Sequence, residues 1–256
     1  TSDADELANI IDDNYKNINI KKIYLDAFTQ ESTPGGPRCS EAQKALTESV
    51  EKGSLLINYS GHGGELGWTK ERILEVGQIN KWENKNNLPF FVTATCAFSR
   101  FDDPERISAG EYTFLNKDGG AIGLLSTTRL VYSNSNNLLN KAFIEILFEK
   151  ENGKLPRLGD LFRQTKKTSQ GDVVNKRKFV LLGDPALCLA YPDLNVSTTA
   201  ISDTISALGE VTISGQIENE NGTLAANFNG FVFPTVYDKQ EILITLGQES
   251  STPMPY

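Results

Sequence analysis

Two residues that can do chemistry stand at the ends of two short apolar runs in this sequence. The run 55–60 leads into Gly61-His62-Gly63-Gly64, and the run 89–95 leads into Cys96. Short apolar runs bounded by turn residues predict buried β-strands. In open α/β sheets the reactive groups lie just beyond the carboxyl ends of such strands. A histidine and a cysteine in these positions form a candidate base and nucleophile.

The scarcity of histidine adds to this interpretation. His62 is the only histidine among 256 residues, and glycines lie on both sides of it. Glycine allows positive φ and a close approach of the backbone to a ligand, neither of which a core residue requires. Each residue alone has an ordinary alternative, because a single histidine is often structural and a free cysteine behaves as a small buried hydrophobe. Their joint placement favours the catalytic interpretation.

The chemistry expected of this pair is nucleophilic attack on a carbonyl carbon. The imidazole takes the thiol proton, and the resulting thiolate attacks. The oxyanion that develops needs backbone N–H donors. Gly63 can supply one N–H, because glycine lets the backbone approach the substrate, and the N–H of Cys96 can supply the other. We therefore predict that Gly63 and Cys96 form the oxyanion hole.

Helices and strands alternate from the start of the chain to about residue 190. Apolar periodicity predicts helices over 5–15, 40–53, 73–84, 107–115, 138–148 and 158–166, and strands over 20–25, 55–60, 90–95, 121–126, 179–182 and 186–190. Ser40 followed by Gln43 predicts a capping box at the start of the second helix. This alternation predicts an α/β domain whose mainly parallel sheet is covered on both faces.

The pattern changes at Pro192-Asp193. Short alternating runs follow, such as 211–215 and 241–245, and turn residues at 219–222 and 229–230 separate them. Such runs predict a β-sandwich. Only about 64 residues remain, against roughly 100 in an immunoglobulin-like sandwich. We therefore expect two domains, an α/β domain over 1–192 and an incomplete β-sandwich over 193–256.

Composition excludes several functional classes. The net charge is −8, and residues 193–256 carry eight acidic side chains against the single base Lys239. No basic patch indicates a nucleic-acid partner, and no apolar run approaches the eighteen or so residues that span a membrane. The three cysteines Cys39, Cys96 and Cys188 are widely spaced, which is not typical of a zinc site or a disulfide framework. The sequence opens without Met or a signal peptide, so we expect it to begin inside a longer protein.

Several short motifs resemble a known family. They cover residues 54–192 and follow one another in that family's order: Tyr59-Ser60-Gly61-His62-Gly63 with the nearby Trp68, Pro89-Phe90, Ala94-Thr95-Cys96, Gly120-Ala121-Ile122 leading to Ser126-Thr127, and Leu182-Gly183-Asp184-Pro185-Ala186-Leu187. Together they resemble the gingipain-type (C25) cysteine peptidases of the caspase-like clan. The resemblance implies a caspase-like three-layer α/β fold followed by an immunoglobulin-like β-sandwich, here incomplete.

The resemblance also implies roles for individual residues. Cys96 would be the nucleophile and His62 its base or ion-pair partner, with Gly63 and Cys96 as oxyanion donors. A wall of the pocket for the residue before the scissile bond (P1) would come from Ser126, Thr127, Thr128, Arg129 and Tyr132, and Trp68 would border the cleft. A strand end with its loop, and ordinary packing of Trp68, are the alternatives.

Acidic residues are harder to assign. Arg-specific gingipains use an upstream acid to bind the P1 side chain, and of the acids that precede His62 we favour Asp26, with a solvated loop carboxylate as its alternative. The family implies no required cofactor but allows a structural calcium ion. Asp102, Asp103 and Glu105 could ligate calcium through hard oxygen ligands. Solvated acids are the alternative there too.

Within the family, the segment 222–246 most resembles the PorU-type sortases of the type IX secretion system of Bacteroidetes. That resemblance implies an enzyme at the extracellular or outer-membrane surface, with secretion-system components as partners. It would cleave the C-terminal signal of secreted cargo through a Cys thioester and transfer the cargo to anionic lipopolysaccharide. A general gingipain-like secreted endopeptidase and a non-catalytic adhesion or scaffold module remain as alternatives.

Overall fold

The computed structural model describes residues 1–151, 153–206, 208–232, 234, 236, 242–246 and 251–255. The helices are α1 (Ser2–Asn14), α2 (Ser40–Lys52), α3 (Val76–Ile79), α4 (Ala109–Leu115), α5 (Ser133–Leu147), α6 (Leu158–Thr168) and α7 (Val173–Arg177), with a 3-10 turn at Leu25–Ala27. The strands are β1 (Glu31–Thr33), β2 (Gly36–Arg38), β3 (Leu56–Ser60), β4 (Gly63–Gly64), β5 (Gly67–Trp68), β6 (Leu74–Glu75), β7 (Phe90–Ala94), β8 (Gly123–Thr127), β9 (Phe179–Leu182), β10 (Leu194–Ala200), β11 (Ser214–Asn219), β12 (Ile242–Leu246) and β13 (Ser251–Pro255).

The central sheet has four strands in the order β3-β7-β8-β9. The pairings of β7 with β3 and with β8 are parallel, whereas β9 runs antiparallel beside β8. Every residue of β7 and β8 is buried, which is why their sequences are continuously apolar or small. The prediction of a mainly parallel sheet is confirmed.

Helices cover both faces of this sheet. Successive side chains of a strand point to opposite faces, so Phe91 joins one apolar cluster with α2 and α4, whereas Phe90 and Val92 join a second cluster with α1, α5 and α6. The three-layer α/β architecture follows directly from this alternation.

The strands predicted over 20–25 and 186–190 are wrong. Within 186–190 only an isolated bridge forms, between Cys188 and Arg157. Residues 19–24 belong to no strand, and the 3-10 turn begins at Leu25. Residues 17–26 and 53–60 both line a cleft of about 2690 Å³, and the segment 19–24 pairs with no strand among the described residues. β propensity without a hydrogen-bonding partner does not make a strand.

Two predictions about helices also need correction. The capping box at Ser40 is absent: Cys39 is the N-cap residue, Ser40 N–H bonds the Glu31 carboxylate at 3.2 Å, and the Gln43 amide binds Arg72 C=O at 2.9 Å instead. The helix expected over 73–84 is confined to α3, because Leu74 and Glu75 pair with β5.

The region after residue 193 forms two antiparallel pairs, β10 with β11 and β12 with β13. The strand expected at 211–215 is largely wrong, because residues 211–213 belong to no strand and β11 begins at Ser214. The strand expected at 241–245 appears at 242–246, and residue 241 lies outside the described residues. The side chains of β10 and β11 are mostly exposed. The immunoglobulin-like sandwich and the domain boundary at 192/193 therefore stay predictions. In the part of the chain that the structure describes, no helix has the length and apolar character needed to cross a membrane.

We predict that Phe91→Ala lowers the free energy of unfolding by about 3–5 kcal/mol, because it leaves a cavity in the central strand. Phe91 is fully buried, with its ring 6.0 Å from those of both Trp68 and Trp82. Phe101→Ala is the matched control, since Phe101 is 51% exposed and should change stability by no more than about 0.5 kcal/mol. Urea denaturation of both variants checks this, and an equal loss would contradict the packing described here.

Candidate active site

The sheet brings His62 and Cys96 together. Ser60 pairs with Ala94 in the parallel ladder of β3 and β7, and His62 and Cys96 each lie two residues beyond this pair. Gly61 N–H extends the ladder to Ala94 C=O at 3.5 Å. The two side chains line one cavity of about 240 Å³, where His62 is exposed and Cys96 half-buried. Adjacent carboxyl ends of parallel strands thus place the predicted base and the predicted nucleophile at the same cavity.

The backbone of His62 is fixed from two sides. Its carbonyl accepts hydrogen bonds from Thr69 N–H at 2.9 Å and from the Tyr59 hydroxyl at 2.6 Å. The Tyr59 ring stacks on Trp68, with centroids 4.1 Å apart and planes within 6°. Burial, together with the nearby Glu71 carboxylate, raises the pKa of the Tyr59 phenol, so the hydroxyl remains a donor.

Trp68 therefore supports the histidine loop through its stacking contact with Tyr59. Its side chain is only 2% exposed and packs against Tyr59, Phe91 and Phe98. Trp68 also lines the cleft of about 2690 Å³ together with His62 and Cys96, so a place beside a substrate stays a prediction. Its role in the structure is to hold the aromatic stack that carries Tyr59.

Cys96 is held by the loop that follows β8. Val131 N–H points to the Cys96 Sγ at 3.5 Å, and the Sγ lies 3.6 Å from Val131 C=O. The next residue, Ala97, has φ of 50° and donates its N–H to Arg129 C=O at 3.0 Å. A left-handed conformation costs a residue with a Cβ about 1 kcal/mol. This sharp turn lies immediately after Cys96, which lines the cavity.

The two predicted oxyanion donors have free N–H groups. Because Thr69 N–H bonds His62 C=O, the pair Gly63–Trp68 is the non-hydrogen-bonded kind in the β4–β5 ladder, so Gly63 N–H is not used there. The N–H of Cys96 donates to no acceptor among the described residues. Both donors are thus available to a substrate oxygen, and their assignment as an oxyanion hole remains a prediction.

Two residues expected in the P1 pocket wall lie inside the sheet instead. Ser126 and Thr127 are fully buried. The Ser126 hydroxyl is bonded by Thr93 at 2.6 Å and by Ser99 at 2.8 Å, and the Thr127 hydroxyl donates to Thr95 C=O. Side chains inside β8 alternate between two covered faces, so these hydroxyls cannot reach a substrate. They brace the strand end that carries Cys96.

The other three residues expected in that wall lie nearer the surface. Thr128 is half-buried, and both its N–H and its hydroxyl bond Lys178 C=O, at 2.9 and 3.3 Å. The exposed Arg129 guanidinium binds Asp102 at 2.8 Å. Tyr132 is 72% exposed, with Lys178 Nζ 5.4 Å from its ring centre. None of the five residues predicted for the wall lines either of the two cavities that His62 and Cys96 share.

An ion pair that the sequence did not indicate joins the two loops of the site. Glu65, in the loop after His62, binds Arg100, in the loop after Cys96, at 2.7 Å. The same carboxylate also contacts Arg106 at 3.3 Å. This ion pair connects the two loops. Glu65 and Arg100 are 35 residues apart in the sequence, so no local pattern predicts their contact.

The acidic residues considered for specificity and calcium take other positions. Asp26 accepts the Thr1 hydroxyl and lines the cleft of about 2690 Å³, which His62 and Cys96 also line. Asp3 lines the smaller cavity of about 240 Å³ beside the same two residues, and Asp26 does not. Asp102 is paired with Arg129, and Asp103 lies 3.7 Å from Arg100. Within the described residues no three His, Cys, Asp or Glu side chains are grouped to hold a metal. Asp102 and Asp103 thus face guanidinium groups, and calcium binding stays a prediction.

Comparisons with known proteins agree with this geometry. The family model described as peptidase family C25 matches residues 1–190. Among curated relatives, gingipain R1 of Porphyromonas gingivalis is 22% identical over 249 residues, which is 83% of this chain and 25% of that protein. The chain thus spans between 14% and 25% of the length of the curated relatives that it matches.

Solved structures show the same fold. The crystal structure of the Arg-specific cysteine proteinase gingipain R has a TM-score of 0.59 and 21% identity, over 78% of this chain and 45% of that one. The complex of the Porphyromonas gingivalis RgpB pro- and mature domains has a TM-score of 0.58 and 18% identity, over 99% of this chain and 62% of that one. The likeness supports the caspase-like architecture.

We predict that Gly63→Ala destabilises the histidine loop, whereas Gly64→Ala does not. A Cβ on Gly63 would lie 2.6 Å from Thr95 Oγ1 and 2.9 Å from Gly67 C=O, but a Cβ on Gly64 meets nothing within 4 Å. Overpacking of this kind costs about 1–3 kcal/mol. Urea denaturation should therefore show the loss for Gly63→Ala only. Equal stability of the two variants would contradict the close contact between the two loops.

Proposed function

Because the chain belongs to peptidase family C25, we propose that it is a cysteine peptidase in which Cys96 is the nucleophile and His62 the base. The main support for this proposal is the cavity at the ends of β3 and β7, which both His62 and Cys96 line. Because peptidases cleave peptide bonds, we expect its substrates to be proteins or peptides.

The proposed reaction forms and breaks bonds in two stages. His62 takes the proton of the Cys96 thiol, and the sulfur attacks the carbonyl carbon of the scissile peptide bond. The N–H groups of Gly63 and Cys96 stabilise the oxyanion. The tetrahedral species collapses when the C–N bond breaks, and His62 gives its proton to the departing amine. A thioester to Cys96 remains, and either water or an amine resolves it.

Resolution by an amine would make the enzyme a sortase. The resemblance of segment 222–246 to PorU-type sortases supports this finer proposal, although residues 233, 235 and 237–241 of that segment lie outside the described residues. In this form the substrate is the C-terminal signal of type IX secretion cargo, and the acceptor is anionic lipopolysaccharide. The enzyme would act at the extracellular or outer-membrane surface beside secretion-system components.

A general secreted endopeptidase of the gingipain kind is the second candidate. The curated relatives that the chain matches are gingipains, which favours it. The non-catalytic scaffold is the least supported of the three, because a scaffold has no use for a cysteine and a histidine that open into one cavity.

We predict that Cys96→Ala abolishes peptide cleavage by the purified chain and leaves its circular dichroism unchanged. The test uses a peptide ending in a type IX cargo signal, a scrambled peptide of equal composition, and an added amine acceptor, with products identified by mass spectrometry. The sortase proposal predicts cleavage of the signal peptide alone and an aminolysed product. The endopeptidase alternative predicts that both peptides are hydrolysed.

Cys39→Ala and Cys188→Ala serve as controls for this experiment, since neither thiol lines the cavity that holds His62. Both should cleave like the native chain. If Cys96→Ala cleaves as fast as the native chain, Cys96 is not the nucleophile and the proposed function fails.

A further inference from the structure

Helix α5 carries two buried amide side chains one turn apart. Asn136 is 5% exposed and Asn140 is fully buried. Both lie at helical spacing with Leu139 and Phe143, on the side of α5 that packs against the sheet. Burying an amide costs free energy unless it is hydrogen-bonded, and leucine would fill such a position at lower cost. The hydrogen-bonding partners of each amide therefore decide what that amide does in the fold.

Asn136 binds the strand end that leads to Cys96. Its Nδ2 donates to Ala94 C=O at 3.4 Å, two residues before the nucleophile. The same carbonyl accepts Gly61 N–H, from the residue before His62. Asn136 also lines the cavity into which both side chains of the dyad open. One amide is thus attached at the point where the two catalytic segments meet.

A second buried amide extends this connection to the other side of Cys96. Asn175, fully buried at α7, donates from Nδ2 to Asn136 Oδ1 at 3.0 Å and accepts Tyr132 N–H at 3.0 Å. The residue before Tyr132 is Val131, whose N–H points to the Cys96 Sγ. The two amides thus connect the backbone just before the nucleophile with the loop that contacts its sulfur.

Hydrogen bonds in a buried chain of this kind are stronger than in water and have few alternative partners. A fully satisfied polar chain fixes the positions of the groups it connects, which apolar contacts do less specifically. The hydrogen bonds through Asn136 and Asn175 fix Ala94 C=O relative to Tyr132 N–H. Cys96 lies between these two backbone groups.

We propose that Asn136, supported by Asn175, is a positioning residue that holds the Cys96 sulfur in line with His62. The inference rests on the proposed function in that it names a determinant of the same reaction. Asn136 contacts the backbone that carries the reacting groups, and it acts through that backbone.

The chain offers a matched control in Asn140. Asn140 is buried one turn further along α5 and exchanges two amide hydrogen bonds with Asn58, at 2.6 and 2.8 Å, in the middle of β3. Replacing either asparagine by alanine removes a buried amide from the same helix face. Only Asn136→Ala breaks the connection to Cys96.

The experiment measures Asn136→Ala and Asn140→Ala in the full chain. The rate of iodoacetamide alkylation of Cys96 is read by mass spectrometry relative to exposed Cys188 in the same molecule, and kcat and KM are measured on a cleaved peptide. Misplacing a reacting group by about 1 Å costs up to roughly 10²-fold in rate. We expect Asn136→Ala to lower both kcat and the Cys96:Cys188 ratio by about tenfold with KM unchanged, and Asn140→Ala to leave all three within twofold.

Asn175→Ala provides a second variant, which should give the same result as Asn136→Ala and replaces it if that variant does not fold. The proposal is overturned if Asn136→Ala and Asn140→Ala change the Cys96:Cys188 ratio equally, or if neither changes it. The alkylation ratio needs no substrate. If the native chain cleaves no peptide, the proposed function fails, and the ratio still decides whether Asn136 positions Cys96.

Discussion

The parallel pairing of β3 with β7 is the constraint on which the rest of the site depends. Its register sets Ser60 opposite Ala94, so the residue two positions beyond each strand end reaches the same place. A shift of the pairing by one residue would turn every side chain to the other face of the sheet. Such a shift would move Phe91 into the cluster with α1, α5 and α6, and Phe90 and Val92 into the cluster with α2 and α4. Close packing of both clusters disfavours this exchange.

Beyond the strand ends, several separate contacts limit how far the two loops can move. Tyr59 and Thr69 bind the backbone of His62, and Glu65 connects that loop to Arg100. The strained turn at Ala97 is retained because its N–H is bonded to the loop after β8. Strain persists at functional sites where the surroundings fix the conformation. Packing, polar contacts and one ion pair thus act together to present Cys96.

The sequence was most informative where local pattern and burial agree. The ends of the strands that precede His62 and Cys96 were predicted to within a residue or two. Short apolar runs bounded by turn residues seldom adopt another structure. The prediction of a strand at 20–25 was wrong, because a strand needs a neighbouring strand to pair with, and local β propensity gives no information about such a neighbour. The Glu65–Arg100 ion pair joins segments that are far apart in the sequence, so no local pattern indicates it. Asn136 was not predicted to be helical, because α5 begins at Ser133, in a polar run without a capping signal, and not at residue 138.

The most direct test of the account is the alkylation rate of all three cysteines in the native chain and in His62→Ala. Cys188 is exposed, Cys96 half-buried and Cys39 buried, so access alone would make Cys188 the fastest. An assembled dyad makes Cys96 the fastest in the native chain despite its lower exposure, and His62→Ala removes that advantage without changing Cys39 or Cys188. If Cys96 reacts more slowly than Cys188 in the native chain, or equally fast with and without His62, the two residues do not work as a pair.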